Sequence, residues 1–255
     1  MARYSHSKIS TFENCPFQYK LHYIDKVKPD APNTIEAFMG SMIHESLEKI
    51  YKDREAKKHN TIIDLKIFYK ETWEKNYTPD ILIVKYGMTE QDYKQKGWNF
   101  LLAYYNTIFL HDQLEIVGIE TEEIMKLKDG SEWHIRIDKL GKDAEGNYFV
   151  CDYKTNSRMK EQEDADSDRQ LAMYSIWVKK NFPNVKSVKL IWHMLAFNET
   201  VISERNSEQE EKLEQEIIGK IKKIEQAEKD CTFPKNPSKL CDYCLYRKTC
   251  WKENI

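Results

Sequence analysis

The stretch "VCDYKTNS", residues 150–157, ends an apolar run with Asp152, Tyr153 and Lys154. Residues two apart on a strand point to one face, so the Asp152 carboxylate and the Lys154 ammonium face the same way. A surface ion pair is one reading of such a D-x-K. Phosphodiester cleavage is the other, with the carboxylate holding a divalent cation and the ammonium stabilising charge that develops on the phosphate. Asp138 closes the preceding strand-like run "HIRID", and antiparallel pairing would set it beside Asp152. Two close carboxylates repel each other, and a divalent cation between them relieves that repulsion. The main-chain carbonyl of Tyr153 offers the same cation a further hard oxygen.

Two more segments carry residues of interest. His44, in "GSMIHESLEKI", lies beside the Ile43/Leu47 face of an amphipathic helix. Gln170 and Tyr174, in "DRQLAMY", are four apart and share one helix face. Taken singly, these read as a packed histidine, a polar helix residue and a core aromatic.

The elements that must position these residues follow from periodicity. Ser10–Glu13 has capping-box form and opens a short helix that Pro16 bends or restarts. Met39, Ile43, Leu47 and Ile50 recur at helical spacing from Ile35 to about Arg54. Further helices are expected over about 65–75 and 90–110. "LEIVGIETEEIMKL", "SEWHIRIDKL" and "NYFVCDYKT" are short runs separated by Asp129-Gly130 and Glu145-Gly146-Asn147. Such turns predict a three-stranded antiparallel meander. A helix from about Asp168 to Lys180, two strands around Asn198 and a long charged helix capped from Ser207 complete the order. The pattern predicts an α/β fold, a mixed central sheet flanked by helices, in one 1–255 domain. Within it, 35–112 forms a helical subdomain, 113–206 the sheet core, and 207–255 the long helix and a cysteine-rich tail.

Composition narrows the class. The chain has 255 residues, 40% hydrophobic and 32% charged, with 8 Gly and 7 Pro, which fits a soluble, helix-rich protein. A net charge of −2 neither points to nucleic acid nor excludes it. No apolar run reaches membrane-span length and "MARYSHSKIS" lacks a signal-peptide core, so a cytoplasmic location is expected. No G-x4-G-K-[ST] loop occurs, so the chain is not itself a helicase.

Cys241-x2-Cys244-x5-Cys250 is metal-ligand spacing, and a fourth thiolate would come from Cys231 or from distant Cys15. Four thiolates suit either zinc or an iron–sulfur cluster. "YRKTCWK" and "CPFQYKLHYIDKVK" mix basic and aromatic side chains, which suits single strands by stacking and phosphate contact.

In chain order, "GSMIHESLE", "IRIDKL", "CDYKT" and "QLAMY" together resemble the PD-(D/E)XK nuclease superfamily, in its RecB-like branch. The resemblance implies a restriction-endonuclease-like core and a DNA nuclease, an exonuclease on single-stranded ends, dependent on Mg²⁺ or Mn²⁺. It implies metal ligation by His44, Asp138, Asp152 and the Tyr153 carbonyl, and catalysis by Lys154. It also implies a helix with Gln170 and Tyr174 that supports the site and contacts DNA. Ile137 stands where the superfamily name has proline, and the second acid is Asp rather than Glu. "NCPFQY" and "CDYCLYRKTC" are similar to the split cysteine pattern of the iron–sulfur members, which include the AddB nuclease domain and CRISPR-associated adaptation nucleases. That similarity implies a [4Fe–4S] cluster on Cys15, Cys241, Cys244 and Cys250. On this expectation the chain either works alone or supplies the nuclease to a separate helicase or integrase-type partner, in repair, recombination or a mobile-element or CRISPR-type pathway. A non-catalytic DNA-end-binding adaptor, or a zinc protein with an incidental D-x-K, is the alternative.

Overall fold

Both expected glycine turns reverse the chain. Gly130 and Gly146 have φ of +87° and +90°, a region open to glycine without steric penalty. Beside Gly146, Asp143 Oδ1 accepts from the N–H groups of Glu145 and Asn147, each at 2.9 Å. The computed structural model describes residues 3–252. Met1 and Ala2 of the N-terminal stretch read above, and residues 253–255 of the 1–255 domain, lie outside the described residues.

The chain opens with β1 (Arg3–Tyr4), α1 (His6–Asn14) and α2 (Pro16–Tyr19), the last running on as a π-helical turn, Lys20–Ile24. Three longer helices follow: α3 (Ile35–Glu55), α4 (Ile62–Asn76) and α5 (Glu90–Thr107). The meander is β2 (Glu115–Lys126), β3 (Glu132–Lys142) and β4 (Asn147–Lys154). Next come α6 (Gln162–Asp166), α7 (Arg169–Asn181), β5 (Ser187–Met194), β6 (Glu199–Glu204), α8 (Ser207–Lys229) and α9 (Arg247–Lys252).

Two helix starts differ from expectation. Ser5, not Ser10, caps α1, accepting from Lys8 N at 3.1 Å. Ser10 therefore lies inside the helix, beside His6 Nε2 at 3.4 Å. Likewise Asn206, one residue before Ser207, caps α8 in a reciprocal pair with Gln209. Both corrections share a cause: a serine inside the first turns mimics a cap when an equally good capping residue stands upstream.

The sheet is mixed, in the order β1-β3-β4-β5-β6, with β2 also paired to β3. β1 runs parallel to β3 and β4 parallel to β5, while the β2–β3, β3–β4 and β5–β6 pairings are antiparallel. One face packs Ile135, Ile137, Val150 and Leu190 against Leu171 of α7 and Ile217, Ile221 and Ile224 of α8. A second core gathers Ile43, Leu47 and Ile50 of α3, Trp73 of α4 and Leu101 of α5, with Tyr153 and Leu195 joining from the sheet side. No described helix is long and apolar enough to cross a membrane.

Candidate functional site

Alternation along β3 breaks where the chemistry begins. Trp133, Ile135 and Ile137 pack in the α7/α8 core, and so does Leu140. The period of two has therefore slipped by one residue between Ile137 and Leu140. Consecutive side chains Asp138 and Lys139 both turn toward α3, where Asp138 meets His44 and Lys139 meets Tyr51. Pairing between β3 and β4 stops at Lys139↔Cys151. Past that point the strands part, and the freed Tyr153 N–H donates to Asp138 Oδ2 at 2.8 Å.

His44 is seated by the close approach of α3 to the end of β4. A Cβ on Gly40 would come within 3.3 Å of Thr155 Oγ1, so glycine there lets the helix approach. His44 Nε2 donates to the Tyr153 carbonyl at 2.9 Å, and Nδ1 lies 3.4 Å from Asp138 Oδ1. Glu120 of β2 completes the group, with Oε1 4.0 Å from His44 Nδ1. One donor atom from each of His44, Glu120 and Asp138 lies within 4.8 Å of the others.

Asp152 and Lys154 form the other half. Lys154 Nζ lies 2.6 Å from Asp152 Oδ2 and donates to Gln170 Oε1 at 3.2 Å. Gln170 Nε2 in turn donates to Asp152 Oδ1 and to the Tyr174 hydroxyl, each at 3.4 Å. The N-terminal turn of α7, capped by Asp168, thus holds the D-x-K pair from the side opposite α3. Every residue singled out for the site in the sequence lines one groove of about 850 Å³, together with Glu120, Arg136 and the Ser5–Ser7 start of α1.

The electrostatics divide the acids. Burial alone would raise the Asp138 carboxyl, but the His44 charge and the Tyr153 N–H outweigh it and lower it. Asp152 is raised, by burial and by the Asp138 charge against the opposing pull of Lys154. Glu120 is also raised, by burial first and then by Asp138. His44 shows the complementary effect: burial pulls it down, yet Asp138 and Asp152 lift it to about 9. Lys154 stays an ammonium, since Asp152 and Asp138 outweigh the desolvation that would lower it. Glu120 and Asp138, gathered with the His44 imidazole beside the Tyr153 carbonyl, are a donor set that fits a divalent cation, whose charge would offset their mutual repulsion, and Asp152 stands on the Lys154 side of the same groove.

Glu120 escaped the sequence reading. It stands in the acidic run "ETEE" of an ordinary-looking strand. In the structure its backbone has a φ of 46°, rare for a non-glycine residue and a mark of positions held by their surroundings. It lies between the pairs Ile119↔Lys139 and Thr121↔Ile137, hence beside Asp138. Arg136 Nη2 grips its carboxylate at 3.1 Å.

The cysteines separate cleanly. Cys15, Cys241, Cys244 and Cys250 line one cavity of about 290 Å³. Cys231 is exposed and Cys151 is buried within β4. Direct bonds join the two ends of the chain around this cavity. Phe17 N donates to Pro234 O at 3.2 Å, Asp30 N to Leu245 O at 2.7 Å, and Asn236 Nδ2 to Asn14 O at 2.8 Å. Burial first, and then the three other thiols, raise the Cys244 thiol above its ordinary value.

A mixed sheet whose parting central strands carry an acid and a D-x-K, facing a histidine-bearing helix, defines an α/β protein of the restriction-endonuclease-like kind. The model of the PD-(D/E)XK nuclease superfamily matches residues 3–251, and the chain belongs to that superfamily. The fold is similar to that of a candidate exonuclease from Eubacterium rectale, with a TM-score of 0.57 at 11% identity over 96% of this chain and 86% of that one. The solved structure of SSO0001 overlaps with a TM-score of 0.37 at 12% identity, over 84% of this chain and 96% of that one. No curated protein matches the chain.

Proposed function

We propose that this protein is a divalent-metal-dependent deoxyribonuclease of the RecB-like branch, acting as an exonuclease on single-stranded DNA ends. The observation that carries this reading is the convergence of His44, Asp138, Asp152, the Tyr153 carbonyl and Lys154 on one groove. His44, Asp138, Asp152 and the Tyr153 carbonyl would hold the cation, Mg²⁺ or Mn²⁺, with Glu120 beside them. An imidazole in the donor set favours Mn²⁺. The bound cation supplies Lewis-acid polarisation of the phosphate and lowers the pKa of water.

The chain's own residues do the rest. Lys154, kept charged by Asp152, offers its ammonium to the non-bridging oxygen on which charge accumulates. Gln170 contacts Lys154, Asp152 and Tyr174 together, and so fixes the D-x-K geometry. The N-terminal turn of α1 lines the same groove, and its N–H groups suit a backbone phosphate. Residues 35–112 act in this reading as a helical subdomain over the 113–206 sheet core, with 207–255 closing onto Cys15.

The four-cysteine cavity is read as the seat of a [4Fe–4S] cluster with a structural role. Its four thiols suit a cluster. A cytoplasmic location and a separate helicase or integrase-type partner belong to the same reading.

End-labelled linear and covalently closed single strands, each incubated with purified protein and Mn²⁺, test the exonuclease assignment. Loss of the linear strand alone is expected. Equal degradation of both contradicts it in favour of an endonuclease.

A further inference from the structure

Directly behind the groove lies a polar network that the cleavage chemistry does not touch. Lys139 of β3 is 2% exposed and pairs with Asp112, whose side chain is 6% exposed. Asp112 also accepts from the Tyr51 hydroxyl at 2.8 Å. The Tyr104 hydroxyl donates to that of Tyr51 at 2.7 Å, and the Tyr153 hydroxyl lies 3.4 Å from that of Tyr104. Lys139 Nζ lies 4.5 Å from the centroid of the Tyr51 ring. All five side chains are buried.

What these residues adjoin is informative. Lys139 follows Asp138 directly. Tyr153 carries the carbonyl that accepts from His44 and the N–H that donates to Asp138. Tyr51 is two turns beyond His44 on α3, so the two residues share a helix face. The network therefore grips, from behind, three of the four segments that bring a donor to the groove, α3, β3 and β4, and leaves out β2 with Glu120. β3 and β4 pair as far as Lys139↔Cys151 and part beyond it, so at the level of Asp138 and Tyr153 no ladder pair fixes their separation. A buried ion pair is a poor source of stability, because desolvation offsets its attraction, but its strict geometry can specify position.

We propose that Lys139, Asp112, Tyr51 and Tyr104 are positioning residues that set the spacing of His44, Asp138 and the Tyr153 carbonyl for the cation. The inference rests on the metal-site reading above.

Two variants of the full chain test it: Tyr104→Phe, which removes one hydroxyl, and Lys139→Met/Asp112→Leu, which removes both buried charges together. Mn²⁺ affinity is measured by the electron paramagnetic resonance of free Mn²⁺, and thermal stability is measured with chelator present. Both variants should weaken Mn²⁺ binding about tenfold, as outer-shell changes do. Their melting temperatures should stay within about 3 °C of wild type, or rise in the double variant. Packing alone would instead lower stability and leave the affinity of the folded fraction unchanged. Variant affinities within about twofold of wild type, where outer-shell losses run tenfold or more, overturn the positioning role. A wild-type protein that binds no Mn²⁺ overturns the metal-site reading itself, and the positioning role with it.

Discussion

The Tyr153 backbone N–H donates to Asp138 Oδ2 at 2.8 Å although the strands that carry them have stopped pairing. A carboxylate thus replaces a ladder carbonyl as the acceptor, and its second oxygen is left facing His44 at 3.4 Å. The same peptide segment supplies the Tyr153 carbonyl to His44. One residue thereby orients an acid with its N–H and offers its own oxygen to the groove.

Asp138→Asn keeps the shape of that contact and removes the charge. Mn²⁺ affinity should fall by more than about 100-fold, beyond the usual effect of an outer-shell change. Calorimetric titration of wild type and variant checks this, with circular dichroism confirming that the fold is retained.

His44 makes the metal-free protein sensitive to pH. Its folded value of about 9 lies above the ordinary 6.5. The stabilisation it gives is fully present below 6.5 and is lost as pH rises through about 9. Melting curves in chelator should therefore show stability declining across that window, and His44→Gln should flatten the decline. Mn²⁺ affinity should run the opposite way and strengthen with pH, because the imidazole must shed its proton to ligate.

The Fe–S reading predicts a brown protein after anaerobic purification. Cys15→Ser and Cys244→Ser should abolish the visible absorbance and lower the melting temperature, since the cavity joins the two ends of the chain. Cys231→Ser, at an exposed position, should leave both unchanged. Colourless protein carrying zinc would contradict the cluster.

Much of this was legible in the sequence, for physical reasons that differ by residue. Asp152 and Lys154 meet on one face, as a strand's period of two requires. The meander followed from turn chemistry, since Gly130 and Gly146 occupy the left-handed region that such turns need. Glu120 was missed because its role depends on a backbone conformation that no local pattern encodes. Asp138 and Lys139 both facing α3 was equally hidden: it arises from a slip in alternation that becomes visible only when the two cores are seen. The Lys139–Asp112 pair joins residues 27 apart, and nothing in either neighbourhood announces the other. Cys15 could be joined to the C-terminal cysteines only through resemblance, because chain closure is a tertiary event.

The most direct test concerns Lys154, the group proposed to meet the phosphate, whose ammonium bonds Asp152 and Gln170 among the described residues. Labelled single-stranded DNA is incubated with Mn²⁺ and either wild-type protein or Lys154→Ala. Wild type should degrade the strand, and the variant should be slower by about 10²–10³-fold, the loss expected for one charge-stabilising group. Equal degradation by the two proteins, or none by either, would contradict the assignment of this groove as a nuclease active site.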